Sequence, residues 1–292
     1  MSLDPHQLAA LEAILRLGSF DAAATELAVT PPAISQRIRA LEERVGTVLV
    51  RRTTPCIATS AGARLAKHAA DLALLETQLA RDLGRGGGPG RLRVAVNADS
   101  LATWFVPAMA AAEGMLFDLV IDDQDHSADW LKRGEVSAAV TASGRPVAGC
   151  DAFPLGALRY LATASPGFAG RWFADCVDAR SLAAAPCLTF NAKDALQRTW
   201  MQAQTGKALS PPSHSLPSTH AFVDAARAGL GWGMNPEPLC RPHIDAGALR
   251  ELVPDAPLDV GLTWQVSRIM APALTGVTRA VRRAARAALI AP

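Results

Sequence analysis

The sequence predicts an α/β multi-domain chain: an N-terminal winged helix-turn-helix, a long helix after it, and a larger C-terminal domain of two α/β lobes. Three observations predict it. Residues 18–49, GSFDAAATELAVTPPAISQRIRALEERVGTVL, read as two short helices joined by a tight turn. The run Gly84-Arg85-Gly86-Gly87-Gly88-Pro89-Gly90 cannot hold a helix and divides the chain. Residues before it read as helical. After it, short apolar strands alternate with helices, the pattern of a parallel sheet.

Length and composition agree with several domains. A chain of 292 residues, half of them hydrophobic, is long for one core. It has no run of about 18 uncharged apolar residues, so neither a membrane span nor a membrane partner is expected. The start MSLDPHQLAALEAIL lacks a basic stretch followed by an apolar core, which argues against a signal peptide and for a cytoplasmic protein. Cys56, Cys150, Cys176, Cys187 and Cys240 form no CxxC pair. Free thiols in a reducing compartment are the simple reading, with a thiol redox sensor as the alternative.

The first helix runs from Asp4 or Pro5 to Leu17 and turns Leu8, Leu11 and Leu15 inward, with Ile14 beside them. The next spans about 20–28, capped by Ser19 or Asp21. Thr30 then caps a helix that has Pro31 at its first position and runs to about Arg44. Ile34, Ile38 and Leu41 form its apolar stripe. Pro32, Ser35, Gln36, Arg39 and Glu43 lie opposite. Gln can bond adenine in two places and Arg can do the same with guanine, so this outer face fits a recognition helix in the major groove. Such a face also occurs on plain surface helices. The flanking charge favours DNA: residues 30–67 carry Arg37, Arg39, Arg44, Arg51, Arg52, Arg64 and Lys67 against Glu42 and Glu43, while the whole chain is only +2. Residues 49–52 and 56–58 read as a small hairpin, a wing whose Arg51 and Arg52 can reach the phosphate backbone.

Thr59 or Ser60 starts a helix of about 24 residues ending near Leu83. Leu65, Leu72 and Leu79 recur every seven residues, with Ala69, Leu75 and Leu83 beside them, a coiled-coil-like stripe. It predicts pairing with a second copy through Leu65, Leu72, Leu75 and Leu79; the alternative is a helix packed on its own domain. Two-fold symmetry would suit two half-sites on DNA.

Beyond the glycines, strands are expected at 92–96, 117–121, 136–141, 158–164, 187–190, near Ser215, 231–235 and 258–266. Helices are expected between them, and a closing helix at 272–289. That helix carries Arg279, Arg282, Arg283 and Arg286, a solvated basic face or a membrane-surface helix. No GxSxG, HExxH or Walker loop occurs, and Cys240-x-x-His243 alone is no zinc site, so no enzyme, metal or cofactor is expected. A small-molecule site is better supported. Asn97-Ala98-Asp99-Ser100 ends a strand and opens a helix, where free N–H groups and the Ser100 hydroxyl can hold a carboxylate. Asp122 and Asp123 follow the next strand and can meet cationic groups. Phe190-Asn191 and Ser218-Thr219-His220 face the same cleft if the lobes close on each other.

These motifs carry a family resemblance. GSFDAAATELAVTPPAISQRIRALEERVGTVLVRRT followed by ATSAGARLAKHA resembles the winged helix-turn-helix of LysR-type transcriptional regulators. LRVAVNADSLATWFVPAMA at 92–110 looks like the start of the effector domain in the ArgP/LysG branch, which controls export of lysine and arginine. The resemblance covers the chain end to end. It implies a DNA-binding domain at 1–59, a linker dimerisation helix at 60–83, a hinge at 84–90 and a periplasmic-binding-protein-like effector domain at 91–292. Lobe I would span about 91–158 and 267–292, and lobe II about 159–266. It implies promoter DNA, a basic amino acid (lysine or arginine) and RNA polymerase as partners, and a homodimer or homotetramer. An exporter gene is the implied target. Acids are expected in that branch near Asn191 and His220, where this chain has neutral residues. A regulator of the same fold for another small molecule, or a solute-binding protein, are the rival readings.

Overall fold

A computed structural model describes residues 3–85, 88–121, 127–142 and 145–291. The N-terminal domain contains α1 (Pro5–Leu17), α2 (Phe20–Glu26), α3 (Pro31–Val45) and a wing of β1 (Val50–Arg51) and β2 (Ile57–Ala58). Caps fix the helix starts. Asp4 Oδ1 accepts from His6 N at 2.7 Å, and the side chains of Ser19 and Thr30 accept from the first turns of α2 and α3. Gly18 and Gly46 end α1 and α3 in the left-handed region. Ile34, Ile38 and Leu41 are buried with Leu11, Ile14 and Leu49 in one core. The wing is shorter than the sequence suggests, with only two residue pairs in register, Val50 with Ala58 and Arg51 with Ile57.

Helix α4 (Ser60–Asp82) leaves this domain under a tight restraint. A Cβ on Gly62 would lie 2.0 Å from the Leu49 carbonyl oxygen, so only glycine lets the helix pass the wing this closely. Thr59 caps α4 through Gly62 N at 3.1 Å, and its hydroxyl also donates to Val48 O at 2.8 Å.

The predicted leucine seam divides. Leu65 packs on the N-terminal core, and Leu75 packs on the C-terminal core beside the buried Leu74. Both are half-buried, so part of each side chain stays open to a second copy. Leu72 is half-buried, and Leu79 is 58% exposed. The helix is also tied to the C-terminal domain by polar contacts. Ser137 Oγ donates to Asp71 Oδ1 at 2.7 Å, and Asp71 pairs with Lys67. Arg81 Nη2 donates to Gly114 O at 2.7 Å.

The C-terminal domain continues as β3 (Gly90–Val96), a helical run of α5 (Ala98–Ser100), a π turn (Leu101–Phe105) and α6 (Val106–Ala110), then β4 (Met115–Ile121), α7 (Ser127–Lys132), β5 (Ala138–Thr141) and β6 (Cys150–Ala164). The second stretch holds α8 (Pro166–Trp172), α9 (Ala179–Ala184), β7 (Cys187–Thr189), α10 (Leu196–Thr205), β8 (Ser213–Ser215), α11 (Thr219–Arg227), β9 (Gly233–Pro236), α12 (Glu237–Asp245) and β10 (Arg250–Glu251). β11 (Leu258–Ser267) returns and α13 (Thr275–Ala288) closes the chain. Strand order is β10-β6-β11-β5-β3-β4, with β9 also on β6. β3 runs parallel to β4 and β5; β11 runs antiparallel to β5 and β6. A second sheet pairs β7 with β8 in parallel.

The long antiparallel strands β6 and β11 connect the two lobes. β6 starts eight residues earlier than the sequence suggests. Pro154 and Gly156 disguise it, because they sit where the register shifts between Leu262 and Thr263. Gly156 has φ +118°, and a Cβ there would lie 2.4 Å from Ile290 O. The chain end is thus paired against β6 through Ala157 and Ile290. The core runs through both lobes, with Trp104, Phe105 and Trp264 at one end and Trp200 and Trp232 at the other. Trp264 Nε1 donates to Thr278 Oγ1 at 3.1 Å, fixing α13 on the sheet.

Candidate functional site

Two surfaces collect the residues singled out from the sequence. On α3, Thr30, Pro32, Gln36 and Arg39 are exposed, and Ser35 and Arg37 are half-buried. Thr30 Oγ1 is engaged as the cap of Ala33 N, so its side chain sets the helix entry. Arg51 is exposed on the wing. Among the described residues, Arg37, Arg39 and Arg51 form no ion pair with a carboxylate. Arg52 differs: its guanidinium lies 4.7 Å from the centroid of the Phe20 ring, a cation–π contact that braces the wing on α2. Glu42 Oε1 accepts from Leu49 N at 2.8 Å and from Val50 N at 3.3 Å. That acid, which sequence reasoning counted only against the basic charge, fixes the wing relative to α3.

The second surface is a cavity of about 370 Å3 between the lobes. Of the residues predicted for it, Asn97, Asp99, Phe190 and Thr219 line it. Ser100 lies just behind, fully buried. Asn191 and Ser218 are not among its lining residues, and both make local hydrogen bonds. Asn191 Oδ1 accepts from Lys193 N at 2.7 Å and Asp194 N at 3.2 Å, and Ser218 caps α11 through Ala221 N. Short polar side chains at a strand end or helix start often close on their own backbone in this way. Asp122 and Asp123 lie outside the described residues.

The lining holds two acids the sequence reading missed, Asp194 and Asp259. Asp194 lies three residues after Asn191 and reads in sequence as a turn residue before α10. Its Oδ2 accepts from Phe190 N at 2.8 Å and its Oδ1 from Leu196 N at 3.0 Å. Asp259 faces Arg159 across the β6–β11 ladder, a pairing visible only once the register is known. Two hydrogen bonds of 2.7 and 2.8 Å from Arg159 hold its carboxyl below the ordinary carboxylate range. Asp99 is the third acid. It accepts from Tyr160 Oη at 2.8 Å and from Thr219 Oγ1 at 2.8 Å, joining the start of α5, the crossing strand and α11.

Three carboxylates, Asp99, Asp194 and Asp259, line the cavity, and no Lys or Arg appears among its described lining residues. Leu196, Phe222, Met234 and Leu258 add apolar wall. Leu101 N bonds to Asn97 O, so the N–H groups before it sit in the first helical turn, the turn that also carries Asp99, and such a turn favours an anion. Asn97 Oδ1 and Ser100 Oγ are buried there without a hydrogen-bond partner among the described residues. The helix passes through a π turn at 101–105, a rare form concentrated at functional sites. Such a pocket suits a small zwitterion carrying an apolar stem and an extra cation.

Burial pushes the thiol pKa of Cys187 up to about 11 and that of Cys240 up to about 12, raises Cys150, and Asp178 raises the exposed Cys176. Among the described residues, no group of three or more His, Cys, Asp or Glu could hold a metal, and no helix is long and apolar enough to cross a membrane.

Known proteins resemble the chain at both surfaces. The family described as bacterial regulatory helix-turn-helix protein, lysR family, matches residues 5–63, and the LysR substrate binding domain matches residues 85–286. The HTH-type transcriptional regulator LysG of Mycobacterium tuberculosis is 46% identical over 286 residues, 97% of this chain and 94% of that protein. The lysine export transcriptional regulatory protein LysG of Corynebacterium glutamicum is 38% identical over 287 residues, 97% of this chain and 98% of that one. A full-length structure of LysG from Corynebacterium glutamicum with bound effector Arg matches with a TM-score of 0.68, covering 98% of this chain and 99% of that one at 38% identity. The crystal structure of ArgP from Mycobacterium tuberculosis matches with a TM-score of 0.82 at 44% identity, covering both chains fully.

Proposed function

The chain belongs to the LysR family of transcriptional regulators, with that family's DNA-binding and effector-binding domains, and from this premise we propose that it senses a basic amino acid, arginine or lysine, and controls an amino-acid exporter gene. The observation that carries the reading is the cavity with three carboxylates and no cationic side chain in its described lining. A basic amino acid has one carboxylate and two cationic groups, and leaving a charge unpaired away from bulk water costs several kcal/mol. The start of α5 serves the carboxylate. Asp194 or Asp99 serves the cations, Asp259 being paired already with Arg159, and Leu196, Phe222 and Met234 cover the methylenes. The arginine bound in the related LysG structure supports the same class of effector. The exporter target rests on the name of the lysine export relative.

On DNA, Gln36 and Arg39 read bases from α3 while Arg37 and Arg51 contact phosphates. The protein acts in the cytoplasm as a dimer or a dimer of dimers, with RNA polymerase as a further partner at the promoter. Leu72, Leu79 and the uncovered parts of Leu65 and Leu75 on α4 form the seam for a second copy. A thermal-shift panel of the common amino acids on the full-length chain tests the effector class. Arginine and lysine should raise the melting temperature. A stabilisation confined to neutral or acidic amino acids would overturn the reading.

A further inference from the structure

Away from the central cavity, the end of α4 meets the effector domain around a second cavity of about 370 Å3. Its lining includes Gln78 and Arg81 from α4, Glu113 from the turn after α6, and Gly276, Arg279 and Arg283 from α13. The charged lining residues are three arginines and one glutamate, a formal +2. Several arginines pair with acids, among them Arg159 with Asp259, Arg241 with Glu237 and Glu251, and Arg268 with Asp151, and those of this cavity are not among them. Among the described residues, Arg279 and Arg283 form no ion pair, and Arg81 is held by backbone oxygens, Gly114 O at 2.7 Å and Gly88 O at 3.2 Å. Carbonyl contacts orient a guanidinium while leaving its charge unneutralised. Arg279 and Arg283 are four residues apart, so they project from the same face of one helix.

We propose that this junction is a second ligand site, for a compact polyanion bearing phosphate or carboxylate groups. Three guanidiniums around a concave site are suited to such groups, since each can donate two parallel hydrogen bonds to one oxyanion. The walls come from both the linker helix and the effector domain. An occupant therefore binds most tightly when the two are held together as they are here, and it would bias the position of the DNA-binding domain independently of the amino-acid cavity. The site is separate from the effector reading above and does not depend on it.

Calorimetry on the full-length protein at low chloride, with pyrophosphate and citrate as probes, tests the proposal. At least one should bind once per chain. The Arg279→Ala/Arg283→Ala variant should weaken that binding tenfold or more, and Arg51→Ala, on the DNA-binding wing, should leave it unchanged. Both α13 arginines are exposed, so the double variant should melt like the wild type. Binding to pyrophosphate alone assigns a phosphoryl ligand, and binding to citrate alone a polycarboxylate. Absence of heat from both probes at millimolar concentration would overturn the proposal. So would binding that survives the double substitution or is lost with Arg51→Ala.

Discussion

Replacing Gly62 by alanine should uncouple DNA binding from effector binding, because it strikes the contact between α4 and the wing. The added Cβ would sit 2.0 Å from Leu49 O and 2.9 Å from Leu49 C. Ordinary contact begins near 3.4 Å, so the backbone there must retreat by more than an ångström. That backbone is pinned. Leu49 N donates to Glu42 Oε1 at 2.8 Å, and Leu49 O accepts from Thr59 N at 3.0 Å. Losing two such bonds costs about 1 kcal/mol each, and overpacking adds about 1–3 kcal/mol. Alanine returns about 1 kcal/mol through helix propensity. The net destabilisation is about 2–4 kcal/mol, enough to disable a small domain with a stability of a few kcal/mol. Operator binding by fluorescence anisotropy should fall sharply while arginine calorimetry stays as in the wild type. A Gly62→Ala protein that melts and binds DNA like the wild type would refute the argument that this close approach positions the wing.

Three further outcomes follow from the same geometry. Gln36→Ala and Arg39→Ala should each cost about 1–3 kcal/mol at the specific operator, whereas Arg51→Ala should weaken all sequences alike and flatten the salt dependence, as titrations at several salt concentrations would show. Leu79→Asp should reduce self-association in sedimentation velocity, since it places a charge in the apolar seam of α4. Arg159 lowers the carboxyl of Asp259, so the stability it contributes is complete above the ordinary carboxylate pKa of about 4 and declines as pH falls through the lowered value. Asp259→Asn should therefore lessen the loss of melting temperature on acidification from pH 5 to pH 2, by a small amount because the pair is partly exposed.

The parts of the fold legible in the sequence are those governed by local rules. Thr30, Pro31 and the Ile34-Ile38-Leu41 stripe suffice to place α3, since capping and periodicity act within a few residues. What eluded the sequence depends on partners far along the chain. That Leu65 and Leu75 also pack on the two cores of their own chain is visible only once the chain is folded. Strand β6 is hidden because Pro154 and Gly156 act as breakers except at a bulge. At the cavity, Asn97, Asp99, Phe190 and Thr219 were accessible from strand ends and helix starts. Asp194 resembles any turn acid, and Asp259 is recognisable only from its cross-strand register with Arg159. Asn191 and Ser218 show how a short polar side chain also bonds locally: Asn191 Oδ1 accepts within its turn and Ser218 Oγ caps α11.

The central claim is that charge at the end of the effector's side chain is read by carboxylates between the lobes. Calorimetry with two matched pairs measures this directly: arginine against its neutral isostere citrulline, and lysine against norleucine. A hydrogen bond to a charged group contributes about 1.5–3 kcal/mol, so each neutral partner should bind about 10- to 100-fold more weakly, and Asp194→Asn should narrow the gap. If citrulline and norleucine bind as tightly as arginine and lysine, or if neither basic amino acid gives heat, the cavity does not recognise a basic side chain.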